Sequence, residues 1–314
     1  FYSIEDERLT ISESAKILWD NSPVGWLSPS DDVFNPNVQV LNSDLLNQDQ
    51  IHLITQRLKL FVNNLIEKNL SPLINIKEEN FDNSSRGIIY LLKERLGTTT
   101  IKEIYKVYKE ISDDEKKEFS KAGLRFGVKY LYMPELLKPG SVKLRALLWG
   151  VMNNTYYNAA LPDDGRVAYS PDETAPNDWY NIIGYSKLGD RVMRVDMVER
   201  LLALIRVAAR EGSFKITEEM LSIAGASKEK MSKVLLDLGF ENIDKDKNNE
   251  ITFETLFKRK QKKILFKNKL KTNNKNKKNL ENKSKGKTKF QKNNNEKIDK
   301  NSPFFVLSNL KLKN

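Results

Sequence analysis

Bases and rings alternate in one stretch of the chain, residues 123–150. Arg125, Lys129, Lys138, Lys143 and Arg145 sit there among Phe126, Tyr130, Tyr132 and Trp149, with Glu135 as the only acid. Lysine and arginine neutralise phosphates, and rings stack on bases; together they hold a nucleic-acid strand without reading its sequence. Residues 124–133 alternate like a strand, and the four-residue spacing of Arg125 and Lys129 puts both on one strand face. These five bases are therefore the expected phosphate contacts. The alternative is a core strand and helix with solvated edges, and the residues leave both open.

A second constellation lies at 217–253. Thr217 starts a short helix, Gly225 marks a turn, and Ser227 caps a second helix running to Leu238. Met220, Leu221, Met231, Val234, Leu235 and Leu238 form the apolar faces. Phe240–Ile243 and Ile251–Phe253 then read as a wing hairpin, the layout of a winged helix. The second helix offers Lys228, Lys230 and Lys233 to a nucleic acid, diluted by Glu229 and Asp237.

Other chemistries are excluded or weak. There is no Cys, so thiol catalysis, disulfides and cysteine metal sites are absent. The single histidine, His52, rules out a multi-histidine site. Gly286-Lys287-Thr288 resembles the end of a P-loop, but position 281 is Glu where Gly is needed. Asp172-Glu173 lies in a Pro-rich loop. Asp244 to Asn248 starts like a calcium loop, yet the sixth position is Asn249 and the twelfth Thr255. No nucleophile–base pair stands out, so neither a catalytic residue nor a metal ligand is expected.

The elements that position these residues follow from periodicity. Residues 1–42 read as a small β-meander. Residues 43–212 read as a helical body with short strands. Its helices fall at 43–69, 84–96 (capped by Ser84 or Ser85), 100–111, 112–123 behind a Ser112/Glu115 capping box, 139–153 behind Pro139, and 196–212 capped by Asp196. Strands are expected at 182–185 and 192–195, and a loop at 158–178. The winged-helix-like module spans 213–256. The expected fold class is α+β, mainly α-helical.

The charge is uneven. Residues 257–314 hold 20 Lys and Arg against three acids, a net of +17; the first 256 residues hold 33 bases and 39 acids, a net of −6. Residues 257–300 form a Lys/Asn-rich arm with too few apolar residues to fold, hence an expected disordered basic tail. Residues 301–314 turn apolar, and Phe304, Phe305 and Leu307 read as a docking peptide for a partner. Mean hydropathy is −0.56, and no apolar run approaches a membrane span. The absence of Cys fits a reducing, cytoplasmic compartment. The chain begins at Phe1, with neither signal peptide nor transit segment, and reads as a piece of a longer protein.

Gly123-Leu124-Arg125-Phe126-Gly127, Leu136-Leu137-Lys138-Pro139 and Leu144-Arg145-Ala146-Leu147-Leu148-Trp149 resemble the C-terminal region of a helicase group. So do residues 161–166, Gly184-Tyr185 and residues 194–201. The group is the superfamily II, DExH-type ATP-dependent helicases of alphaproteobacteria, similar to the mitochondrial degradosome RNA helicase. The resemblance covers about residues 10–243. It implies two RecA-like motor domains upstream that bind ATP and Mg, with no cofactor in this stretch and no catalytic role within it. It also implies RNA or single-stranded DNA as ligand, whereas a nuclease or other degradation partner belongs to a second reading. A stand-alone scaffold that recruits a partner through its terminal peptide is the alternative.

Overall fold

The computed structural model describes residues 5–41, 46–243 and 251–260. The Lys/Asn-rich arm and the docking peptide with Phe304, Phe305 and Leu307 lie outside these residues.

The chain opens with four antiparallel strands in sequential order: β1 (Leu9–Ile11), β2 (Lys16–Trp19), β3 (Ser22–Ser28) and β4 (Asn37–Val40). This is the expected meander, with Ile17 and Leu27 turned inward. A long helix, α1 (Gln48–Ile74), covers it. Asn47 and Gln50 close a reciprocal capping box at its start. Leu58, Phe61, Val62, Ile66, Leu70 and Leu73 recur at helical spacing and are buried, so one stripe of α1 builds the largest core.

Next comes α2 (Asn83–Glu94). Its cap is Asp82, which accepts from the Ser85 amide, rather than Ser84 or Ser85. Ser85 is instead buried and donates to Glu115. The expected helix over 100–111 is mostly replaced. Residues 101–104 are turns and only Tyr105–Tyr108 (α3) is α-helical, while Thr98–Thr100, overlapping the expected helix only at Thr100, forms β5. Three consecutive β-branched residues favour the extended state once a partner strand is available. By contrast, α4 (Asp113–Lys121) starts behind the predicted Ser112/Glu115 box.

The expected strand 124–133 is a hairpin. β6 (Arg125–Phe126) and β7 (Tyr130–Tyr132) pair antiparallel, and β5 lies on the other edge of β7. Arg125 pairs across from Tyr132, and Lys129 sits in the turn. The two bases therefore do not share a strand face. α5 (Pro139–Asn153) runs as predicted. β8 (Ala168–Tyr169), β9 (Tyr185–Leu188) and β10 (Arg191–Arg194) form a second small sheet in the order β8-β10-β9. α6 (Asn177–Ile182) occupies residues read as loop and strand.

α7 (Val195–Ala208) follows at once. Asp196 lies in its first turn and bonds Arg194 instead of capping the helix. Then come β11 (Ser213–Lys215), α8 (Glu218–Ala224), α9 (Lys228–Asp237), β12 (Phe240–Asn242) and β13 (Leu256–Arg259), with sheet order β11-β13-β12. Helix, strand, two helices and a two-stranded wing in this order make a winged-helix layout. Thr217 and Ser227 cap α8 and α9, and Gly225 takes the left-handed turn at φ +54°. The second wing strand is Leu256–Arg259 rather than Ile251–Phe253, because Phe257 is the residue that reaches the core beside Phe214. The module also begins earlier than residue 213. Val195, Val198, Leu201, Leu202 and Ile205 of α7 belong to its core, together with Tyr130 and Leu188 from the hairpins.

Candidate nucleic-acid interface

α9 occupies the place of a recognition helix. Met231, Val234 and Leu235 face inward, which leaves Glu229, Lys230, Lys233, Leu236 and Asp237 outward. The two halves of this outward face differ. At the N-terminal half Lys230 is exposed and in no ion pair among the described residues. Lys228 lies with its ammonium 3.7 Å from the centre of the Phe253 ring, at the foot of the wing. A cation over a ring stays available to a phosphate while its stem is positioned.

The C-terminal half is covered by the turn between β9 and β10. The Gly189 amide donates to Asp237 at 2.7 Å, and Asp190 pairs with Lys233. Arg191 donates to the Ala224 carbonyl at the end of α8. The approach requires glycine: a Cβ on Gly189 would lie 2.6 Å from that of Lys233, and its φ is +53°. Lys129 reaches the same neighbourhood from the β6–β7 turn. Desolvation pushes its ammonium below the usual value, against the pull of Asp237 and Glu199. The β9–β10 turn thus packs against this half of α9 and engages both Lys233 and Asp237, although Lys233 stays 56% exposed, so its charged groups are engaged where those of a groove-reading helix would be free.

The β6–β7 turn is itself held by α7. The Glu199 carboxylate accepts from the amides of Val128, Lys129 and Tyr130, the last two at 2.8 Å. Tyr130 donates its hydroxyl to Ser186 at 2.6 Å, tying the hairpin to β9. Burial first of all raises this phenol to about 12.

The remaining predicted contacts lie elsewhere. Lys138 and Lys143 are exposed at the start of α5, and Lys143 pairs with Asp164 at 2.8 Å. Arg125 is exposed on β6. Arg145 is not a phosphate contact: it is 0% exposed. Its guanidinium donates to Thr98 Oγ1 at 2.7 Å and to the Leu136 carbonyl at 3.2 Å, while its Nε has no partner. Burial pushes it down to about 9, so it stays charged at neutral pH. The structure therefore places Lys228 and Lys230 together at the start of α9, with Lys129 and Lys233 each near Asp237. It does not unite the eight bases on one surface.

Sequence reasoning missed Glu199, Gly189 and Asp190. A carboxylate four residues into an apolar helix gives no hint of three distant amides. The burial of Arg145 had a signal: it is four residues after Ser141 and three before Leu148, on the apolar stripe of α5. Among the described residues no group of His, Asp or Glu side chains is placed to hold a metal ion, and no helix is long and apolar enough to cross a membrane. The chain matches no protein-family model, no curated protein and no solved structure.

Proposed function

We propose that this chain is a nucleic-acid-binding accessory region of an ATP-driven helicase, acting in the cytoplasm on RNA or single-stranded DNA. The observation that carries the reading is the open end of α9: Lys228 over the Phe253 ring and the exposed Lys230 two residues on, in a winged-helix layout. Two bases and a ring at the foot of a wing grip a backbone and one base without reading sequence. The strongly basic residues 257–314 add salt-sensitive affinity. ATP and Mg belong to upstream motor domains in this reading, and no residue here is assigned to either.

Fluorescence anisotropy with labelled single-stranded RNA and DNA tests it. The double variant Lys228→Glu/Lys230→Glu of the whole chain is expected to bind about tenfold more weakly, with a salt slope smaller by about two. Unchanged affinity and slope would sink the assignment. The helicase part has its own test, the intact mass of the polypeptide in its own cells. The reading expects a mass far above 36.3 kDa; a mass near that value would favour a stand-alone binding protein.

A further inference from the structure

The helical body carries a cleft of about 730 Å³ on elements the nucleic-acid reading does not use. Its walls are the β3–β4 loop (Asp31 to Asn35) and the last turns of α1, α2 and α5. Helix C-termini carry partial negative charge, so three of them around one space favour a cation. The side chains agree. Asp31 is exposed and makes no ion pair or hydrogen bond among the described residues. Asp32 is used within its own loop, accepting from the Phe34 amide at 2.9 Å. Glu94, beside Tyr90 in the lining, raises that phenol's pKa above its usual value.

Two bases also line the cleft, and both are already neutralised. Lys93 pairs with Glu78, and Arg95 with Glu103 at 3.1 Å. Three rings complete the lining: Phe34, Trp149 and Tyr90. Tyr90 is 65% exposed, the most exposed of the large apolar and aromatic side chains that stand open to solvent. Trp149 is backed by Tyr157 at 5.8 Å between ring centres. Carboxylates, helix C-termini and aromatic faces are the surroundings that hold a planar organic cation.

We propose that this cleft is a docking site for an arginine-bearing peptide segment of a partner protein, its guanidinium held between Asp31 and the ring of Tyr90. Arginine suits it better than lysine because its planar head stacks on a ring while donating to a carboxylate. The space exceeds one side chain, leaving room for peptide main chain on either side. Phosphates are repelled by Asp31, Asp32 and Glu94, so the cleft is separate in chemistry from the nucleic-acid surface. The proposal stands whether or not α9 binds nucleic acid.

The test is calorimetric titration of the whole chain with a blocked heptapeptide carrying one central arginine. Its citrulline counterpart and free arginine serve as comparisons. Saturable 1:1 binding is expected, weakened about tenfold or more by citrulline, which keeps the shape and loses the charge. Asp31→Lys is expected to weaken binding by about tenfold and Tyr90→Ala by about fivefold. Both side chains are on the surface, so the fold is not at stake. Glu218→Lys, a charge reversal on α8, is expected to change nothing. Binding unaffected by Asp31→Lys and Tyr90→Ala would overturn the site, as would absence of saturation below about 5 mM. Equal affinity for free arginine would overturn the peptide as occupant. Displacement of the peptide by a single-stranded RNA would overturn the separation from nucleic acid.

Discussion

α5 and α9 both set bases among apolar residues at helical spacing, and the fold treats them in opposite ways. In α5 the phase of the helix turns Arg145 into the core, where it bridges Thr98 and the Leu136 carbonyl. The other base, Lys143, is spent on Asp164. In α9 the apolar stripe takes Met231, Val234 and Leu235, and Lys228 and Lys230 fall outside it. A count of bases in a segment therefore says little about a surface. The angle between each base and the buried stripe decides whether it serves architecture or a ligand.

The largest expected effect is at Arg145. Arg145→Ala removes a buried guanidinium and leaves Thr98 Oγ1 and a carbonyl without their donor. Chemical denaturation should show a loss of about 3–5 kcal/mol. Arg145→Met should lose less, because it refills the volume and removes a charge that has no carboxylate beside it. Lys228→Ala should stay within about 0.5 kcal/mol of the parent. Similar costs at the two positions would break the comparison.

The covered side of the molecule also predicts an alkaline limit. Burial, the main cause in each, raises Tyr130 and Tyr185 to about 12. Both ionise near 10 when unfolded. Each stabilisation is whole below pH 10 and is lost as pH rises from 10 through 12, because the unfolded chain releases its proton first. The effect is of the order of 2–3 kcal/mol per tyrosine. Tyr130→Phe should flatten part of this decline in a pH series of denaturation curves. An unaltered slope would mean that Tyr130 is more open than its hydrogen bond to Ser186 implies.

Glu199→Gln comes next. One carboxylate serves three amides, and an amide side chain presents a donor where an acceptor is needed. A loss of about 1–3 kcal/mol is expected, with faster hydrogen exchange confined to Val128, Lys129 and Tyr130. Uniformly faster exchange would instead mean that Glu199 supports α7 as a whole.

These cases show what a sequence displays and what it hides. Caps at Ser112, Thr217 and Ser227, the Pro139 start and the Gly225 turn were legible because each acts within four residues of itself. The 124–133 hairpin was not legible. Its turn is stabilised by Glu199, about 70 residues away, and its second strand, β7, pairs with Thr98–Thr100, a strand that local pattern left between two helices. The candidate site divides in the same way. The open half of α9 could be read from its caps and stripe. The covered half could not, because Gly189 and Asp190 arrive from another hairpin.

The smallest effect separates those two halves of α9. Asp190→Asn removes the charge that holds Lys233 and leaves the Gly189 contact with Asp237 in place. Surface pairs of this kind contribute less than about 1 kcal/mol, so stability should barely change. Single-strand affinity should rise by no more than about twofold, because the pair is exposed and one surface ammonium adds a single phosphate contact. An increase of tenfold or more would mean that the turn swings away once the pair is broken. The whole outward face of α9, including Lys233, would then be the binding surface, and the contrast between its halves would be a switch rather than a fixed division.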